Sequence, residues 1–221
     1  GSTFKAITKE ELSNLSIPLP PLPEQRKIAE ILSTVDETIE KVDESIKRTE
    51  RLKKGLMQHL LTKGIGHKEF KDTEIGRIPT EWEVVRLRDA VDLLRNGLVT
   101  KQNKYKKGIP VTRIETISNE KIDPQKIGYI EEISKGEILE YKLQQGDILF
   151  SHINSIAHIG KTALYDGNPP LLLHGMNLLL LRPKRTIIEP FYFLYLLKYY
   201  RTKAIFKHMS KKAVNQASIN Q

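Results

Sequence analysis

At 221 residues and 39% apolar content, the chain can hold a long extended element plus one core of roughly 155 residues. The absence of cysteine excludes a disulfide framework, and no apolar run approaches the roughly twenty residues that span a membrane. With no secretory signal, the composition predicts a cytoplasmic protein, and the net charge of +9 points to an acidic partner.

The first element is the proline-rich run Ile17 to Gln25, IPLPPLPEQ, which leads directly into a heptad pattern. Pro18, Pro20, Pro21 and Pro23 favour an extended approach; Pro23 suits a first helical position, and Glu24 lies where the helix dipole favours an acid. The run also has the composition of a polyproline ligand, but its direct passage into a helix favours a lead-in. Ile28, Leu32, Val35, Ile39, Val42, Ile46, Thr49, Lys53, Leu56 and Leu60 step alternately by four and three, and eight of these ten are apolar. The spacing predicts a coiled-coil helix over 24–63, roughly 60 Å long at about 1.5 Å per residue. Charged residues fill the other faces, so only a narrow stripe can be buried and it needs a partner helix. No second stretch of this pattern exists in the sequence.

After Lys63 the run KGIGHKEFKDTEIGRIP reads as an irregular linker, and EWEVVRL as the first strand of a second domain. Further strands are expected in GIPVTRIETI, KIGYIEEI, GDILFSHI, KTALY and LLLHGMNLLLLRP. From Glu189 the period changes, and FYFLYLLKYYRTKAIFKHM reads as a helix packed on the sheet. The tyrosines in it read as core rather than base-stacking residues. The fold class expected is α+β: a long coiled-coil-forming helix followed by a mixed α/β globular domain, with segments 1–16, 17–63 and 64–221.

Charge is unevenly placed. Residues 1–63 carry 11 basic and 10 acidic side chains, 64–181 carry 16 of each, and 182–221 carry nine basic and one acidic. Within the neutral middle, Arg95, Lys101, Lys104, Lys106, Lys107 and Arg113 fall in a window without an acid. Two acid-poor basic segments on one domain favour a phosphate-tracking surface over a merely solvated face.

Motifs for other chemistry fail. Ser155 to Thr162, SIAHIGKT, approaches a phosphate-binding loop but lacks its first glycine and carries Ile156 and Ile159 where small residues are needed. Asn168-Pro169-Pro170-Leu171 approaches the amino-methyltransferase NPP[FY] motif, but Leu171 cannot stack on a base, and NPP reads as a turn. The six histidines have no metal-ligand spacing. No nucleophile, base and orienter fall in order, so neither a catalytic residue, a metal nor a cofactor is expected. Ser151, His152 and Asn154, with Ser155 and His158, form a polar loop that reads either as a capped and solvated turn or as one that meets base edges.

The run IPLPPLPEQRKIAEIL, the heptad helix, KGIG, then IGRIPTEWEVVRL resemble the spacer and domain start of the DNA-specificity subunit of type I restriction-modification enzymes. GDILFSHINSIAHIGKTALY and QASINQ extend the resemblance over nearly the whole chain, and Lys5-Ala6-Ile7-Thr8 echoes Ala217-Ser218-Ile219-Asn220. Residues 1–16 would then be the tail of a preceding recognition-domain element, 17–63 the spacer and 64–221 a target-recognition domain. The family pairs two such spacers antiparallel, so the chain is either a half-length subunit that pairs with itself or a piece of a two-domain protein.

The resemblance implies a non-catalytic subunit that reads double-stranded DNA and directs methylation and cleavage by modification and restriction subunits. The paired helices would set the gap between two read elements. It also implies DNA contacts from exposed loops: Lys101, Lys104, Lys106, Lys107, Arg113, Lys211 and Lys212 on phosphates, and Ser151, His152, Asn154 and Asn215 near bases. The competing class is a coiled-coil scaffold whose basic domain binds an acidic partner without reading sequence.

Overall fold

In the computed structural model, which describes residues 7–213 and 216–218, the chain begins with a short capped helix, α1 (Lys9–Ser13). The Thr8 hydroxyl accepts from the Glu11 amide, and the Glu11 carboxylate accepts from the Thr8 amide at 2.9 Å, a reciprocal capping box. The proline lead-in then enters α2 (Leu22–Lys63), two residues longer than expected because Pro23 needs no amide donor in the first turn. Gln25 Nε2 donates to the Pro20 carbonyl at 2.7 Å and folds the lead-in against the helix start. Helix α2 buries none of its residues, and the eight apolar seam positions are 41–58% exposed.

The chain forms two compact units, Gly1–Gly55 and Leu56–Gln221, so the last turns of α2 belong to the second. The expected linker instead holds a hairpin, β1 (Phe70–Thr73) and β2 (Gly76–Pro79), turning through Gly76 at φ +112°. The run EWEVVRL is no strand: its Trp82–Arg86 portion is irregular and a 3-10 turn follows at Leu87–Asp89. Pairing begins later, in β3 (Val91–Asn96), whose mixed apolar and charged sequence concealed it.

The remaining elements are β4 (Ile109–Val111), β5 (Gly128–Ile130), α3 (Lys135–Tyr141), β6 (Ile148–Phe150), β7 (Ile153–Asn154), β8 (Thr162–Leu164), β9 (Leu179–Pro183), α4 (Pro190–Thr202), α5 (Ile205–Met209), β10 (Lys211–Ala213) and β11 (Gln216–Ser218). Helix α3 was not anticipated; its start is a Ser134–Glu137 capping box. The single helix expected after Glu189 is two, broken where Ala204 takes φ +58°. Glu189 caps α4 by accepting from the Tyr192 amide at 2.6 Å.

The core sheet is antiparallel with order β3-β9-β6-β8. Strand alternation sorts its residues: Ile148, Phe150, Leu179 and Leu181 meet Phe193, Leu194, Leu197 and Phe206 of α4 and α5, while Leu149, Ala163 and Leu180 pack with Tyr165, Leu172 and Leu178 on the other face. Both faces of the central strand β9 are covered, which is why it reads as an unbroken leucine run. Asp147, only 1% exposed, is held by two 2.8 Å bonds from the Arg182 guanidinium and one from the Gln144 amide. Gly160, at φ +75°, lies against Phe206: a Cβ there would come within 2.5 Å of the ring.

His174 is wholly buried with Nε2 3.1 Å from the Leu178 carbonyl oxygen. Burial, assisted by the charges of Arg95 and His152, lowers its pKa to about 4. The folded chain therefore keeps it neutral while the unfolded chain protonates it near pH 6.5. Stability from this group is full above about pH 6.5 and declines as pH falls towards 4, by up to about 3 kcal/mol. The urea midpoint is expected to drop between about pH 7 and 5 in the native chain and to drop less in His174→Gln, where His152, its pKa also lowered by burial, remains.

Candidate nucleic-acid interface

The basic cluster Arg95 to Arg113 runs from the end of β3 through the loop 97–108 into β4 and just beyond. The loop is rooted by close backbone contact: a Cβ on Gly97 would lie 1.9 Å from the Gly175 carbonyl oxygen, and Leu98 N donates to the His174 carbonyl at 2.9 Å. Its tip is organised by Asn103, which exchanges backbone bonds with Tyr129 at 2.9 and 3.0 Å. The Asn103 side chain donates to the Lys107 carbonyl and to Glu131 Oε1, both at 3.1 Å, and accepts from the Tyr105 amide at 3.0 Å. Lys101, Lys104, Tyr105, Lys106 and Lys107 are all presented to solvent, Tyr105 at 87% exposure.

Sequence spacing hid a counter-effect. Acids absent from the window arrive from elsewhere: Arg95 pairs with Glu140 at 2.6 Å and lies over the Tyr141 ring, Lys107 meets Glu131 at 3.4 Å, and Arg113 meets Glu115 at 3.3 Å. Partial burial alone would raise the pKa of Glu115; its backbone hydrogen bond, Arg113 and Lys104 outweigh this and hold the carboxyl below its ordinary value. Among the described residues Lys101, Lys104 and Lys106 form no ion pair within 4 Å, so their charge remains available to a ligand.

Lys104, Lys106 and Arg113 open onto a cleft of about 390 Å³ closed by Gln125, Lys126 and Tyr129. Arg113 and Glu115 continue it into a hollow of about 230 Å³ with Thr100, Gln102 and Asn177. Glu115 and Ser118 continue it the other way into one of about 170 Å³ with Ser151, His158 and Lys161. Neighbouring hollows share Arg113, Glu115 and Ser118 along their walls, and their amide side chains, Gln102, Gln125 and Asn177, were not anticipated. They are distant in sequence, and only Tyr105, interleaved among lysines, carried a local signal.

Ser151 and His152 are not in an exposed loop as expected: they are 1% and 5% exposed, because the segment between β6 and β7 is drawn beneath the 155–161 turn, with Ser151 N donating to the Lys161 carbonyl at 2.8 Å. Asn154 lies in β7, which pairs with β11, and β11 pairs with β10. Ala217 thereby sits between Asn154 and Lys212, so Asn154, Lys211 and Lys212 share one three-stranded sheet. Asn215 lies outside the described residues. Lys161, the lysine of the GKT segment, donates to the Ser118 carbonyl, an internal role that leaves no phosphate cradle. Lys198 and Arg201 both reach Glu120, and Arg201 also ties the 155–161 turn to α4, its Nη2 donating to the Ala157 carbonyl at 3.0 Å.

The sequence profile of the type I restriction-modification DNA specificity domain matches residues 1–50 and 79–221. The chain belongs to this family. It is 61% identical over 152 residues to a protein named as the MjaX type I restriction enzyme specificity subunit of Methanocaldococcus jannaschii, and 35% identical over 153 residues to the MjaVIII specificity subunit of the same organism. These alignments cover 69% and 68% of the chain but 36% of each relative, so the chain spans about a third of their length. A solved chain described in a study of complex assembly and conformational transition of the type I restriction-modification system has the same fold, with a TM-score of 0.54 at 24% identity over 94% of this chain and 48% of that one. Among the described residues no helix is long and apolar enough to cross a membrane.

Asn103→Ala is expected to disorder the lysine loop without unfolding the domain, since its side-chain bonds are exposed. Duplex affinity should fall by about tenfold while the thermal midpoint moves by only a few degrees. Titration and melting of the same preparation check both.

Proposed function

We propose that this chain is a DNA-reading and pairing unit of a type I restriction-modification specificity subunit. It holds one short element of duplex DNA and carries no catalytic group of its own. The observation that carries the reading is the family match across both the helix and the domain, which coincides with a cleft edged by unpaired lysines. Lys101, Lys104 and Lys106 would hold phosphates, Gln102, Gln125 and Asn177 would meet base edges, and Asn154, Lys211 and Lys212 would extend the contact along a second sheet.

Helix α2 supports pairing with a second helix of the same kind, either in a second copy or elsewhere in a longer protein. Its seam is symmetric about position 44: run antiparallel, Ile28 faces Leu60, Leu32 faces Leu56, Val35 faces Lys53, Ile39 faces Thr49 and Val42 faces Ile46. Every seam position then has a partner, as a two-fold interface requires.

Methyl transfer and cleavage would belong to modification and restriction subunits. With a cognate modification subunit and a methyl donor, methylation should appear only on duplexes holding the element this chain binds. Methylation that proceeds equally without the chain would overturn the assignment.

A further inference from the structure

The second unit carries an apolar groove that shares no lining residue with the hollows at the lysine loop. It measures about 660 Å³ and is lined by Leu61, Ile78, Trp82, Val85, Tyr192 and Tyr200, with Ile75, Val84 and Ile187 exposed along it at 58%, 40% and 52%. A concave apolar groove of this volume lined by aromatic side chains has the dimensions of a binding site. On α4 the core is filled by Phe193, Leu194 and Leu197, so Tyr192 and Tyr200 are left to face the groove. Trp and Tyr rings over aliphatic side chains are the surface that receives polyproline segments.

Such a segment exists in the chain. Ile17 to Pro23 is preset by its prolines and by the Gln25 bond to Pro20, yet Ile17, Leu19 and Leu22 are 69%, 78% and 63% exposed. Its small loss of freedom on docking favours binding. Antiparallel pairing brings the two together. In the register that matches all ten seam positions, Ile28 of one copy faces Leu60 of the other, the residue before groove-lining Leu61. The lead-in of the first copy then runs past Lys63, where the second copy's α2 ends close to groove-lining Leu61 and its chain turns towards the hairpin and the segment that carries Ile75 to Val85.

We infer that the proline lead-in Ile17 to Pro23 of a second copy docks in the Trp82–Tyr192 groove, so that each paired helix is clamped at both ends by a domain. The inference rests on the pairing of α2 proposed above. The clamp fixes the register of the pair, because a shift by one heptad would move the lead-in about 10 Å along the groove.

Trp82 is the chain's only tryptophan, and the chain has no cysteine, so both probes can be placed singly. A copy carrying Ser16→Cys with a short-range fluorescence quencher, and Trp82→Phe, is mixed with the native chain while the mass is followed by light scattering. Mixed pairs in which native Trp82 loses most of its emission, while a quencher at Ser45→Cys leaves it unchanged, are expected. Mixed pairs with undiminished Trp82 emission would overturn the docking and leave the helix pairing standing. If no pairs form, the pairing reading fails, and a peptide of residues 15–27 carrying the same quencher decides the docking alone: loss of Trp82 emission sustains the groove as its site, and constant emission in excess peptide overturns it.

Discussion

Ile39→Asp combined with Ile46→Asp is expected to leave α2 helical and the chain unpaired. Both residues are about half exposed in the single chain, at 54% and 51%, so the folded unit loses little when they become charged. In the pair each would be covered, and two copies carry four such sites. At about 2 kcal/mol for each apolar side chain no longer buried, association weakens by about 8 kcal/mol, the distance between a nanomolar and a millimolar Kd. Burying the new carboxylates would cost further. Light scattering should give the mass of a pair for the native chain and of a single chain for the variant, with unchanged circular dichroism. Equal masses before and after would remove the seam as the association surface.

Lys104→Ala with Lys106→Ala is the second large effect. Both side chains line the cleft and neither is held by an ion pair, whereas the neighbouring Lys107 is engaged by Glu131. Each phosphate contact releases counterions, so losing two should flatten the slope of log affinity against log salt by about two. The loss should fall alike on all duplexes, because phosphates carry no sequence. Lys107→Ala should cost less, since its charge is already shared. A titration series in salt distinguishes the two: an unchanged slope in the double variant would take the loop out of the footprint.

The parts legible in the sequence were those governed by local period. The four-and-three spacing of Ile28 to Leu60 specifies a helix and an apolar stripe, and α2 follows it within two residues. The leucine run of β9 and the aromatic helix α4 were equally direct, because burial on a sheet leaves an apolar signature. The chain around residues 64–96 was misread for a physical reason. In β1 and β2 only Ile78 and Pro79 are buried and the pairing turns on Gly76, while Val84 and Val85 look like strand residues but line an open groove. Cross-chain charge was illegible too. The window 95–113 has no acid in sequence, yet Glu115, two residues past it, and Glu131 and Glu140, brought in by folding, take up three of its six cations. Ser151 and His152 looked like a solvated loop because nothing local records that the 155–161 turn lies over them. The amides Gln102, Gln125 and Asn177 meet only through tertiary folding, and no periodic pattern joins them.

Sequence-specific reading of DNA is the activity proposed for this chain. The direct measurement is selection of bound duplexes from a random-sequence library at about 0.15 M salt, followed by sequencing. A short enriched element is the expected result, present once for a single chain and twice at fixed spacing for a pair. Binding without enrichment would contradict it and leave the lysine loop as a generic anion surface beside a coiled coil.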